Sequence, residues 1–131
     1  MIRPRIFLAD DHQEFLEAEV GLLCSHFELV GTASDGISLV SEVRRLNPDV
    51  VVVDITMPLM NGIDAVDKLT KSGCTTRFVF LTINTGEEFV AACREVGALG
   101  YVWKSQIKTH LIPAIYAVLE NRTYISPLTS S

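Results

Sequence analysis

The sequence has no run of basic residues longer than the pair Arg44-Arg45, and its 11 Lys and Arg are outnumbered by 16 Asp and Glu, for a net charge of −5. Nucleic-acid surfaces are built from clustered cations, so direct contact of these residues with DNA or RNA is not expected. Cysteine is scarce: Cys24, Cys74 and Cys93 are three in number, far apart and in no C-x-x-C arrangement. That excludes a disulfide framework and leaves them as reduced thiols. His12, His26 and His110 share no ligand spacing with one another or with the cysteines, which argues against a zinc site needing about four N or S ligands. No apolar stretch approaches the roughly 20 residues that span a bilayer, so no membrane association is expected. The opening Met1-Ile2-Arg3-Pro4-Arg5 leads straight into a strand pattern without a cleavage signal, and a cytoplasmic location is expected. Repeats and low-complexity blocks are absent as well.

What is present is an ordinary globular composition, 48% apolar over 131 residues, enough for one domain with its own core. Apolar runs at residues 5–10, 27–33, 50–53, 77–81 and 99–103 read as strands. Residues 50–53 are four consecutive valines, the pattern of a strand covered on both faces. Helical periodicity lies between the runs. Phe15, Ala18, Val20, Leu22 and Leu23 give a rough first stripe, followed by helices over 37–46, 63–69, 87–96 and 109–120. Asn47-Pro48 stops the second helix. Pro113 is expected only near the first turn of the fifth, so that helix should not reach far back. Strands alternating with helices through five units predict a doubly wound α/β sandwich, a parallel sheet with helices on both faces.

Polar residues recur where the strands end: Asp10-Asp11, Asp54, Thr82 and Lys104, with Asn61-Gly62 in the loop after Asp54. Parallel strands bring all of them to one carboxyl edge, where open α/β sheets bind ligands. Adjacent carboxylates repel, and holding Asp10, Asp11 and Asp54 together is costly without a cation. Oxygen donors in this number suit Mg²⁺. Each residue also has a plain structural reading. One acid of the pair caps a helix, Asp54 caps a turn, Thr82 is a strand residue and Lys104 reaches to solvent. As a nucleophile, Asp54 would attack phosphorus and form an acyl phosphate.

In this order, Ala9-Asp10-Asp11, Asp54 with Met57-Pro58 and Asn61-Gly62, Leu81-Thr82, and Gly100-Tyr101-Val102-Trp103-Lys104 resemble the receiver domains of two-component response regulators. The likeness runs from the first strand to Tyr124, giving a receiver domain over 1–124 and a tail or linker over 125–131. It implies a flavodoxin-like five-stranded sheet of order 2-1-3-4-5 with five helices. It also implies that Asp54 is the phosphate acceptor and that Mg²⁺ is held by Asp11, by Asp10 through water, by Asp54 and by the Thr56 backbone carbonyl. Thr82 and Lys104 would bind the phosphoryl group, and Tyr101 would be an aromatic switch that turns inward as Thr82 moves. Thr56 and Asn84 are candidates for tuning hydrolysis. Asp11-His12, Lys104-Ser105 and Tyr124-Ile125-Ser126-Pro127 look most like the NarL-type branch, in which a helix-turn-helix domain normally follows.

The resemblance implies a histidine kinase as partner and phosphotransfer as the chemistry, with self-dephosphorylation the only turnover. It also implies self-association through helices 1 and 5 or through helix 4, strand 5 and helix 5. DNA would be reached only through an output domain that these residues do not include. Two positions depart from the usual pattern. Ile83 adds bulk after Thr82 and is a candidate for slowing phosphoryl entry, and Ser105 replaces a frequent proline. Ile83 alone favours the competing reading, an interaction module that works without phosphorylation. An aspartyl phosphatase of the haloacid-dehalogenase kind needs a second Asp two residues after the nucleophile, where this chain has Thr56. A flavin-phosphate site is opposed by Asp10-Asp11, and no G-x-G-x-x-G supports a dinucleotide site.

Overall fold

The computed structural model describes residues 3–83 and 87–126, with backbone alone for Glu87 and Glu88. The strands are β1 (Arg5–Ala9), β2 (Glu28–Ala33), β3 (Val50–Asp54), β4 (Arg77–Thr82), β5 (Gly100–Trp103) and β6 (Tyr124–Ile125). The helices are α1 (Gln13–Leu23), α2 (Gly36–Leu46), α3 (Gly62–Lys71), α4 (Glu87–Glu95) and α5 (Ile107–Leu119), the last entered through a 3₁₀ turn at Lys104–Gln106. All strand pairs are parallel, in the order β2-β1-β3-β4-β5-β6.

Strand residues alternate between the faces of the sheet, and this divides the valine run. Val51 and Val53 join Phe7, Phe78 and Phe80 in one core with Leu39, Val43, Val66 and Leu69 of α2 and α3. Val50 and Val52 join Ile6, Leu8, Val79 and Leu81 in the other, against Leu16 and Leu23 of α1 and Leu111, Ile115 and Val118 of α5. Every residue of β3 is buried, as expected for a central strand covered on both sides. Helix ends follow local chemistry. Asp35 caps α2 by accepting from the Ser38 amide at 2.7 Å, and Asn61 caps α3 by accepting from the Asp64 amide at 2.8 Å. Asn47 ends α2 in the left-handed region at φ 48°.

Three expectations are revised. A short sixth strand extends the expected five, because the chain after α5 pairs with the open edge of β5. The Tyr124 amide donates to the Leu99 carbonyl at 2.9 Å, and the Ser126 amide to the Tyr101 carbonyl at 2.9 Å. The Trp103 amide in turn donates to Ser126 Oγ at 3.0 Å, and Tyr124 Oη lies 2.6 Å from His110 Nδ1. Pro113 lies inside α5, which begins at Ile107 and not at 109. The pyrrolidine ring faces solvent, so burial of Ile107, Leu111, Ala114, Ile115 and Val118 outweighs the lost backbone bond. The buried stripe of α1 is Leu16, Glu19 and Leu23, a different phase from the all-apolar stripe expected, because Glu19 takes a core position. No helix among the described residues is long and apolar enough to cross a membrane.

Candidate functional site

The carboxyl ends of β1, β3, β4 and β5 deliver Asp10, Asp54, Thr82 and Lys104 to one buried edge. Their exposures are 1%, 3%, 1% and 4%. Parallel register fixes their relative heights: Asp54 lies opposite Leu81, and Thr82 opposite Trp103. The loop after β3 is brought back onto the strand by Asn61-Gly62. The Gly62 amide donates to the Ile55 carbonyl at 2.8 Å, and a Cβ at Gly62 would stand 2.3 Å from the Asp54 carbonyl oxygen. Only glycine allows that approach.

Lys104 ties the site together. Its Nζ lies 3.0 Å from Asp10 Oδ2 and 3.2 Å from Asp54 Oδ2, and 4.4 Å from the centre of the Phe15 ring. Burial disfavours the ammonium, but hydrogen bonding to Asp10 and the charges of Asp54 and Asp10 outweigh it and hold its pKa above the ordinary lysine value. Asp54 is pushed upward by burial and by the neighbouring Asp10 charge, with Lys104 pulling the other way. A lysine cannot fully neutralise two buried carboxylates, so the site favours a further cation. Thr56 donates its amide to Asp54 Oδ1 at 3.3 Å.

Asp11 is more open, with 29% of its side chain exposed, and joins the cluster through His12, whose Nδ1 lies 3.1 Å from Asp11 Oδ1. Ligand atoms of Asp10, Asp11, His12 and Asp54 all fall within 4.8 Å of one another. Asp10 Oδ2, though buried, meets no donor with hydrogen-bond geometry. Such a donor set fits a divalent cation. Tyr101 is turned inward, 2% exposed, hydrogen-bonded to Thr82 and pushed up to about 12 by burial. Its ring meets Trp103 edge-on at 5.7 Å. Ile83 points to solvent, 76% exposed. Asn84 lies outside the described residues.

Two residues at the site escape the spacing arguments. His12 converges on the acids although it has no partner histidine at ligand spacing. Glu19, fully buried on α1, faces Asp10. Burial and the neighbouring Asp10 and Asp54 charges raise its pKa to about 9, against the pull of Lys104. No N–H or O–H donor reaches either Glu19 oxygen among the described residues, and two carboxyls share a hydrogen bond only when one holds the proton. The signal for Glu19 was its spacing, three residues from Leu16 and four from Leu23.

Comparison with known proteins agrees with this geometry. The sequence model of the response regulator receiver domain matches residues 6–116. The transcriptional regulatory protein DegU of Brevibacillus brevis is 34% identical over 125 residues, covering 94% of this chain and 53% of that protein. The oxygen regulatory protein NreC of Staphylococcus carnosus is 32% identical over 126 residues, covering 94% and 58%. The chain thus spans little more than half the length of these curated relatives. A LuxR-family two-component response regulator from Aurantimonas sp. SI85-9A1 superposes with a TM-score of 0.90 at 33% identity, over 95% of this chain and 91% of that one. The receiver domain of the NarL response regulator from Mycobacterium tuberculosis does so with a TM-score of 0.89 at 25% identity, over 93% and 100%. With its acidic edge, its lysine and its sheet order all in place, the chain belongs to the response regulator receiver domains of two-component signalling, in their NarL-type branch.

Proposed function

We propose that Asp54 accepts a phosphoryl group from a phosphohistidine of a partner histidine kinase. The observation that carries this reading is the buried bridge of Lys104 between Asp54 and Asp10, at 3.2 and 3.0 Å. It fixes the nucleophile and places a positive charge where phosphoryl oxygens would arrive. An Asp54 oxygen attacks phosphorus, the P–N bond of the donor breaks, and its electron pair returns to the imidazole. The product is an acyl phosphate on Asp54. Asp10, Asp11, Asp54 and the Thr56 carbonyl would hold Mg²⁺, which when bound offsets the charge gathered between the carboxylates and the incoming group. Lys104 and the Thr82 hydroxyl then engage the phosphoryl oxygens. Positioning and charge compensation account for most of the catalysis in such transfers.

The inward Tyr101 and its bond to Thr82 support a switch in which phosphorylation stabilises this packing of β4 and β5 and shifts the population between two states. The output is a changed face of α4, β5 and α5, or of α1 and α5, used in self-association. DNA would be engaged only by an output domain of the full-length protein. Beyond self-phosphorylation and self-dephosphorylation no turnover is expected, and the kinase partnership places the protein in the cytoplasm. Thr56 and Asn84 remain the candidates for setting the lifetime of the phosphorylated form.

The deciding experiment is intact mass after incubation with a small acyl phosphate, with and without Mg²⁺, beside Asp54→Ala. A single Mg²⁺-dependent phosphoryl adduct that vanishes in the variant is expected. An adduct that survives in Asp54→Ala, or none in the wild type, would refute the assignment.

A further inference from the structure

We propose that the groove between α2 and α3 is a docking surface for an acidic amphipathic helix of a partner protein. Ile37, Val40, Ser41 and Arg44 follow one side of α2 and, with Met60 and Lys68, line a groove of about 460 Å³. It continues past Arg44 into a second hollow of about 310 Å³ bordered by Cys74. The apolar side of the groove is open to water: Ile37 is 53% exposed, and Leu59, just before Met60, is 77% exposed. Leu59 also holds a left-handed φ of 68°, a conformation that crowds any residue with a Cβ. Its loop is pinned to the first turn of α2. There the Gly36 amide donates to the Pro58 carbonyl at 3.4 Å, and a Cβ at Gly36 would collide with the Met60 carbonyl. The backbone is thus strained in order to present a large apolar side chain to solvent, and a partner's apolar face would cover Leu59 and Ile37 together.

Charge selects the partner's sign. The neighbouring cations are already paired, Arg45 with Glu42 at 2.6 Å and Lys71 with Asp67 at 3.0 Å. Arg44 and Lys68, which line the groove, form no ion pair among the described residues. In a chain of net charge −5 they set a local positive rim beside an apolar floor, which suits Asp or Glu flanking apolar anchors. A basic nucleic-acid-binding unit would be repelled there. A second copy docked through the same face would bring Arg44 and Lys68 against their own equivalents. Helices form both walls, and their backbone bonds are internal, so an extended peptide would find none of the main-chain bonds that hold it at a sheet edge. A helix with apolar residues three and four apart instead seats its anchors on side chains alone. The 11 residues of α2 extend about 16 Å at about 1.5 Å per residue, room for about three turns of the partner.

The test selects peptides of about 14 residues, long enough for three to four turns of helix, from a random display library on the whole chain. The library is first depleted on the double variant Ile37→Ser, Leu59→Ser, which removes the apolar anchors and leaves the cations. Selected peptides are then titrated by fluorescence anisotropy against the wild type, Ile37→Ser, Arg44→Glu and Lys68→Glu. Sequences rich in Asp and Glu with apolar residues at helical spacing are expected, with affinities about tenfold or more lower in each variant. Unfolding midpoints are measured alongside, and Arg44→Gln takes the place of Arg44→Glu if the charge reversal unfolds the chain. No enriched peptide, enrichment of basic sequences, or affinities unchanged in the Arg44 and Lys68 variants would overturn the proposal. So would a dimer in sedimentation equilibrium that Ile37→Ser abolishes, which would give this face to a second copy of the chain.

Discussion

Glu19 is a buried acid on an otherwise apolar face of α1, and it makes stability depend on pH in a defined direction. In the unfolded chain it loses its proton near 4.5, whereas in the fold burial holds the proton up to about 9. Across that window unfolding releases a proton, so rising pH favours the unfolded state. Stability measured by urea unfolding without divalent ions should fall from about pH 6.5 to about pH 8.5, by at most about 1.4 kcal/mol per unit. Glu19→Gln, which keeps the shape and can donate to Asp10, should flatten that slope, and an equal slope in the variant would show that the proton lies elsewhere. Ile83 is a simpler case. Being exposed, Ile83→Ala should leave the rate of Asp54 phosphorylation within about twofold, and a large acceleration would show that its bulk does obstruct the site. Asp10, Asp54, Thr82 and Lys104 were legible in the sequence because each ends an apolar run in a parallel sheet. Glu19 and His12 were not, because a glutamate in a helix reads as solvent-facing and a histidine without a spaced partner gives no sign that it folds back over the acids.

At the scale of elements, the turn from β3 into α3 has little room for change. Alanine at Gly62 would drive a Cβ to 2.3 Å from the Asp54 carbonyl and 2.8 Å from Val53 Cγ1. Gly62→Ala should therefore cost roughly 2–4 kcal/mol in chemical denaturation and slow phosphorylation by displacing Asp54. A variant of wild-type stability would show that the loop yields freely. In α5 the opposite change is expected. Pro113 leaves the Thr109 carbonyl without its helical donor, so Pro113→Ala should stabilise the protein by about 1–2 kcal/mol, read as a higher midpoint of unfolding. The strands and most helix limits followed from local pattern, but α5 did not, since a proline rule formulated for isolated helices yields to an apolar face packed on the sheet. The phase of α1 failed for a related reason, since apolar count alone could not tell which face the sheet would cover.

At the scale of the molecule, a sheet that gathers its strand ends at one edge brings the carboxylates of Asp10, Asp11 and Asp54 together there against the single ammonium of Lys104, in a chain of net charge −5. A cation bound only by the folded state should therefore stabilise the whole domain, by about 2.7 kcal/mol at a hundredfold excess over Kd. Thermal unfolding with added Mg²⁺ should show this shift in the wild type and little of it in Asp11→Asn. An equal shift in both would locate the stabilising ion elsewhere. The topology was legible as a whole because strand–helix alternation permits few parallel arrangements. The sixth strand was not, because two residues carry no periodicity to read. That small strand has a mechanical consequence. Since Ser126 Oγ accepts the amide of Trp103, the Val102–Trp103 peptide, one residue before Lys104, is clasped to the end of β6. Movement of the segment that carries Lys104 would be felt directly along β6, which is also held to β5 by the Tyr124–Leu99 and Ser126–Tyr101 bonds, without passing through α5.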